Sequence, residues 1–197
     1  TKNCKIKLWN FEWGGIYCFM GTIFVAGIYG VGKSTLCDTL SKELKIPAYS
    51  AGDLISSVNG ERYGANKAVT DKISNQVILS MQVQKLLEVT PQILLAGHFC
   101  IFDKNNGVDY LPEIIFSDLN IERILLLEAP VSTILRNLSL RDKKEYTQQQ
   151  ILSLHNAESQ RAREISHNLG CELYLHRMRF DDTEVSECLS YVKGVNQ

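Results

Sequence analysis

Apolar and polar positions along this chain switch repeatedly between two periods. Thr22-Ile23-Phe24-Val25-Ala26 is a short continuous apolar run, the pattern of a buried strand. After a glycine-rich break, Leu36, Leu40 and Leu44 recur every four residues, which predicts a helix with one buried stripe. Ile46 to Ser50 reads as a second strand, and a helix follows the turn Ser50-Ala51-Gly52-Asp53-Leu54. Residues 59–64 are polar and glycine-punctuated, hence a loop. Val69, Ile73, Val77 and Met81 predict the inner face of a long helix that ends near Val89, with Pro91 as its stop. Gln92 to Ala96 is a third strand, and Asn105-Asn106-Gly107 signals a turn between apolar flanks.

The second half continues the alternation. Pro112 opens a short helix, and Glu122 to Leu127 is a fourth buried strand ended by Ala129-Pro130. The next helix carries Ile134, Arg136, Leu138 and Arg141. Thr147-x-x-Gln150 forms a capping box for a helix whose inner side holds Ile151, Leu154, Ile165 and Leu169. Cys171 to Leu175 is a fifth strand, and Asp181-x-x-Glu184 starts a terminal helix. Strands alternating with helices imply an α/β fold with a parallel sheet covered on both faces.

Length and charge narrow this picture. With 197 residues the chain is most simply one domain. Met20-Gly21-Thr22 looks like a natural start for such a fold, which leaves residues 1–19 as an extension of unknown role and 20–197 as the domain. The extension, with Lys2, Lys5 and Lys7 before an aromatic stretch, loosely imitates a secretory signal, but Asn10 and Glu12 interrupt it. No run of about 18 uncharged apolar residues occurs, so no membrane span is expected. A net charge of −1 argues against broad electrostatic binding of nucleic acid. The six cysteines have neither C-x-x-C nor zinc spacing, and read as reduced thiols in a cytoplasmic protein. Cys37 and Cys171 read as small core residues rather than nucleophiles.

The chemistry is concentrated in the break after the first strand. Gly27-Ile28-Tyr29-Gly30-Val31-Gly32-Lys33-Ser34, followed by Thr35, matches G-x-x-x-x-G-K-[ST] at every fixed position and in the required strand-to-helix context. Such a loop converges backbone N–H groups on a polyphosphate, and the positive end of the helix dipole adds to that field. ATP is the expected ligand: Gly27, Gly30, Val31, Gly32, Lys33, Ser34 and Thr35 form its phosphate cradle, Lys33 reaches the outer phosphates, and Ser34 ligates Mg²⁺.

Ligands of open parallel sheets bind beyond the carboxyl ends of the strands, which singles out Asp53 and His98. Asp53 is either a helix cap and dipole partner or a base beside the transferred phosphate. His98 follows Gly97 at the end of strand three and is weighed as an acceptor-orienting group against a structural imidazole. Arg136, Arg141 and Arg161 are the candidate cations for the charge of the transferring phosphoryl group, Arg136 also for ATP; the plain alternative is solvated surface charge. Arg136 and Arg141 lie roughly 140° apart around a helix, so a helix end between them is needed for both to face one site, and Asp142-Lys143-Lys144 would supply it. Arg161 falls on an apolar helix face, where it needs a carboxylate or phosphate partner, while Arg163 points away.

The phosphate loop, the Gly52-Asp53-Leu54 turn and the Arg136…Arg141 pair together resemble the nucleoside-monophosphate kinases, with the closest likeness to archaeal adenylate kinases and the nuclear adenylate kinase of eukaryotes. The resemblance covers roughly residues 22–176. It implies a P-loop NTPase three-layer α/β/α sandwich with a five-stranded parallel sheet in the order 2-3-1-4-5, and a short arginine-bearing lid around 141–147. It also implies transfer of the γ-phosphate of ATP to a small acceptor, with a nucleotide expected. Two departures stand out: Ala96 replaces an aspartate of the strand-three Asp-x-His, and Ile55-Ser56-Ser57 stands where an arginine for the acceptor phosphate is usual, with Arg62 as a substitute. They motivate an alternative, a nucleotide-dependent ATPase or switch acting on a protein or RNA partner, or a polynucleotide or toxin kinase.

Overall fold

A computed structural model of the chain describes residues 21–59, 72–141, 145–181 and 183–194. The extension at 1–19, Arg62 and the middle of the expected lid lie outside the described residues. Five parallel strands form the central sheet: β1 (Gly21–Ala26), β2 (Ala48–Ser50), β3 (Gln92–Ala96), β6 (Ile121–Glu128) and β7 (Glu172–Arg177). Their order across the sheet is β2-β3-β1-β6-β7, which is the expected 2-3-1-4-5 order once the hairpin between the third and fourth of them is set aside. That hairpin pairs β4 (Cys100–Phe102) antiparallel to β5 (Val108–Tyr110). Its turn is where Asn105-Asn106-Gly107 predicts it: Asp103 Oδ1 accepts from the N–H groups of Asn105 at 2.7 Å and Gly107 at 2.8 Å, and Asn106 takes a left-handed φ of 61°.

β1 sits mid-sheet, buried along its whole length. Ile23, Val25 and Ala26 are fully buried, and β3 and β6 flank it in parallel, with a register shift against β6 between Thr22 and Ile23. Alternate side chains serve two helical layers. One layer includes α1 (Lys33–Leu44), packed on β1, β2, β3 and α7 (Thr183–Lys193). The other includes α6 (Gln148–Leu169), packed on β6, β7, β4 and α5 (Val131–Arg141), with α4 (Glu113–Ser117) beside it. The capping box of α6 forms as expected: Gln150 N–H donates to Thr147 Oγ1 at 3.2 Å and Thr147 N–H to Gln150 Oε1 at 2.9 Å.

One helix turns a different face inward. α2 (Ala51–Asn59) precedes α3 (Lys72–Val89), whose expected inner stripe included Val77 and Met81. These two are 55% and 51% exposed, while Asn75, Leu79 and Val83 are buried. Apolar residues surround α3 (Val77, Ile78, Leu79, Met81, Val83, Leu86, Leu87), so several four-residue rows exist, and contacts with β3 and α4 select among them.

Behind the carboxyl end of β1 lies a cluster of Phe24, Phe99 and Phe116, with ring centroids 4.8–5.8 Å apart. A Cβ on Gly97 would lie 2.6 Å from Phe24 Cζ and 2.7 Å from Cε2. Phe24 is 1% exposed and packed against the rings of Phe99 and Phe116. Gly97→Ala is therefore expected to cost about 1–3 kcal/mol of overpacking, read as a fall of several degrees in the thermal midpoint. A midpoint equal to that of the parent chain would show that the cluster yields.

Candidate active site

The loop between β1 and α1 takes its shape from three glycines. Gly27, Gly30 and Gly32 have φ of 142°, 75° and 103°, values that L side chains rarely adopt. At Gly27 a Cβ would also lie 2.7 Å from the Leu127 carbonyl oxygen, a backbone atom of the neighbouring strand. Gly32 caps α1 without a side-chain hydrogen bond, so the first-turn N–H groups of that helix are left to a ligand or to water. Val31 anchors the loop in the core at 0% exposure, while Ser34 and Thr35 are exposed on the cleft side. Lys33 Nζ folds back to donate to the carbonyls of Gly27 at 2.6 Å and Ile28 at 3.0 Å. A polyphosphate entering the loop would meet amides, a helix N-terminus and this ammonium together.

Beneath the loop lies a carboxylate that the sequence reading missed. Glu158 on α6 is 1% exposed, and among the described residues its hydrogen bonds come from backbone N–H groups. Oε1 takes Gly27 N–H at 3.1 Å and Phe99 N–H at 3.0 Å; Oε2 takes Phe99 N–H at 2.9 Å and Cys100 N–H at 2.6 Å. Burial pushes this carboxyl up to about 7, against the pull of the Phe99 N–H, the Lys33 ammonium, and the N–H groups of Cys100 and Gly27. Its signal in the sequence was position: Glu158 is four residues after Leu154 and seven after Ile151, on the buried stripe.

A cleft of about 940 Å³ runs from the loop to the carboxyl ends of β2 and β3. Lys33, Ser34 and Thr35 line one part, Ser50, Gly52, Gln76 and His98 another, and Met178, Phe180 and Asp181 close the side beyond β7. His98 is thus brought to the cleft. Its ring stands 4.5 Å from that of Tyr29, which in turn stacks on Phe102 at 6.1 Å, and Phe102 on Tyr146 at 5.6 Å. This aromatic row ties the phosphate loop to the hairpin and to the foot of α6. Ala96 also lines the cleft, so strand three offers a methyl group there rather than a carboxylate. Asp53 is exposed in the first turn of α2 and outside the cleft lining, which fits the dipole-partner alternative. Its N–H is 3.4 Å from Ser50 Oγ.

The three arginines separate. α5 continues through Arg141 rather than ending before it, so Arg136 and Arg141 point different ways. Arg141 lines the cleft, whereas Arg136 is exposed outside it. Asn137, one turn before Arg141, also reaches the site and donates through Nδ2 to the Gly30 carbonyl at 2.9 Å. Arg161 is paired with carboxylates in the ligand-free chain. Its apolar surroundings do demand an anion, but carboxylates supply it: Glu164 Oε2 at 3.0 Å and Glu113 Oε2 at 4.0 Å. Arg161 is absent from the cleft lining, and its hydrogen bond keeps the Glu164 carboxyl below its ordinary range. Arg163 is exposed, as expected.

Burial pushes the Cys37 and Cys100 thiols up to about 12 and raises that of Cys171 as well. Among the described residues no group of three His, Cys, Asp or Glu side chains is placed to hold a metal ion, and no helix is long and apolar enough to cross a membrane. A Mg²⁺ ion does not require such a group, since it is commonly held by one or two protein oxygens, waters and substrate phosphates. The exposed Ser34 hydroxyl beside the phosphate cradle fits that arrangement.

Comparison with known proteins agrees with this fold. The adenylate kinase of Thermoplasma acidophilum is 26% identical over 115 residues, covering 57% of this chain and 63% of its own length. The chain thus spans somewhat under two thirds of the curated relative it matches. Among solved structures, shikimate kinase from Acinetobacter baumannii in complex with shikimate superposes with a TM-score of 0.60 at 14% identity, covering 89% of this chain and 94% of that one. Shikimate kinase from Aquifex aeolicus gives 0.54 at 15% (88% and 96% covered), and a gluconokinase from Sinorhizobium meliloti 0.51 at 12% (87% and 91% covered). At these identities the likeness is one of fold, the α/β fold of P-loop kinases. Residues 26–155, from the last residue of β1 into α6, match the family described as AAA domain, and the chain belongs to that family.

Proposed function

We propose that the protein is a small-molecule kinase that transfers the γ-phosphate of ATP to a nucleotide. The observation that carries this reading is the cleft of about 940 Å³ that runs from the phosphate loop to Gly52, Gln76 and His98, room enough for a donor and an acceptor. The likeness to an archaeal adenylate kinase supports a nucleotide as that acceptor. The loop amides and Lys33 bind the phosphates, and Arg141 stabilises charge on the transferring group. His98 orients the acceptor from the end of β3. Mg²⁺, when bound, neutralises phosphate charge, and Ser34 is the residue that would hold it. Water exclusion falls to the aromatic row and to the residues beyond β7.

The test is product analysis with γ-labelled ATP and a panel of acceptors: nucleoside monophosphates, shikimate, gluconate and water alone. Label in a nucleoside diphosphate is the expected result. Recovery of unchanged acceptors with ATP intact overturns the kinase reading. Phosphate released without any acceptor requirement favours the ATPase or switch alternative, which the methyl group of Ala96 in the cleft recommends.

A further inference from the structure

Glu158 has no role in the transfer scheme above, yet it is the buried group most closely tied to the site. Three donors that belong to two different strand ends converge on it: Gly27 follows β1, while Phe99 and Cys100 follow β3. The separations in sequence are 131, 59 and 58 residues, so the carboxylate is a tertiary clamp rather than a local cap. Gly27 supplies the first amide of the phosphate loop, and Phe99 is the residue after His98. We propose that Glu158 is a positioning residue of the nucleotide site: its carboxylate fastens the entrance of the phosphate loop to the turn carrying His98, fixing the two halves of the cleft relative to each other before a ligand arrives.

The chemistry of the partners favours a clamp over a generic buried acid. All of them are N–H donors, so an ionised carboxylate meets the set with acceptors alone, whereas a proton on either oxygen removes acceptor capacity facing those donors. Glutamine at this position faces the same conflict through its NH₂ group. The titratable and charged groups around the carboxylate are Lys33 on α1, the Tyr29 phenol in the loop, and the Cys100 thiol on β4. Arg141 on α5 acts on Tyr29, and Arg161 on α6 acts on Cys100. Lys33 is the cation that couples the clamp to the site, since it also bonds the Gly27 and Ile28 carbonyls.

The proposal rests on the loop being a nucleotide site, and the experiment separates the two claims. The amide resonances of Gly27, Phe99 and Cys100 in the ¹⁵N-labelled full chain are followed from about pH 5 to about pH 9, and MgATP binding is measured by calorimetry. The three amides are expected to titrate with one shared midpoint, and in Glu158→Gln to lose that common transition. The variant is expected to bind MgATP roughly tenfold more weakly, the scale of one lost charge-assisted hydrogen bond. Its melting temperature at about pH 8 should not fall more than a few degrees below that of the parent, so that weaker binding is not unfolding. Gly27 titrating apart from Phe99 and Cys100 overturns the clamp, as does a Glu158→Gln protein that binds MgATP as tightly as the parent. Failure of the parent itself to bind MgATP would sink the nucleotide reading, and the shared amide midpoint would still decide the clamp.

Discussion

Lys33→Ala is expected to lower kcat/KM for phosphoryl transfer by roughly 10²–10³-fold, the scale seen when a preorganised donor to a developing anion is removed. In the ligand-free chain the ammonium is held between the Gly27 and Ile28 carbonyls, so it is positioned within the loop rather than free in solvent. Little reorganisation is then needed when phosphate oxygens replace or join those carbonyls, and this preorganisation is what makes the loss large. The fold should survive, because Lys33 is only half-buried and α1 is held by Leu36, Cys37 and Leu40. Lys33→Arg should not restore the rate, since a planar guanidinium does not reproduce a compact ammonium between two carbonyls. Steady-state kinetics with parallel thermal melts give the measurement. A Lys33→Ala protein with parental kcat/KM would mean that the loop does not carry the transferred phosphate.

How much of this could be read from the sequence depends on how local the information was. The phosphate loop is a local code: fixed glycines, a lysine and a strand-to-helix setting within nine residues, and the structure places each of them in that arrangement. The sheet order was legible because β1, β3 and β6 are apolar runs and the family likeness supplied the crossovers. The α6 capping box was legible for the same reason as the loop, being complete within four residues. Less is legible where a residue's role depends on which partner it meets. Arg161 falls on a face that demands an anion, and sequence alone does not show that Glu164 and Glu113 pair with it in the ligand-free chain. On α3 the apolar residues surround the helix, so periodicity had no single solution. Asn137 carried no signal beyond lying one turn from Arg141. Glu158 was readable in principle, as a carboxylate on the stripe of Ile151 and Leu154 that the charged exterior of a helix does not explain.

That carboxylate should leave a thermodynamic trace. Folding raises its pKa from 4.5 to about 7, chiefly through burial. The folded chain therefore binds a proton that the unfolded chain releases, and the associated stability is complete below about pH 4.5 and lost as pH rises through about 7. At about 1.4 kcal/mol per pKa unit, the full swing is about 3 kcal/mol. Glu158→Gln removes the titration. Denaturant unfolding at about pH 5 and about pH 8.5 should show the parent losing 2–3 kcal/mol relative to the variant, roughly the linkage expected for one such group. The sign is the informative part, because two effects compete. Burial of an ionised carboxylate costs several kcal/mol, and charge-assisted bonds from three amides each return about 1.5–3. If burial dominates, the parent is the less stable protein in alkali and Glu158 is a residue that costs the fold stability while ordering the site, a familiar tension at functional positions. If the parent instead gains on the variant as pH rises, the amides dominate, the carboxyl titrates below 4.5 in the folded chain, and Glu158 must be counted among the residues that hold the fold together.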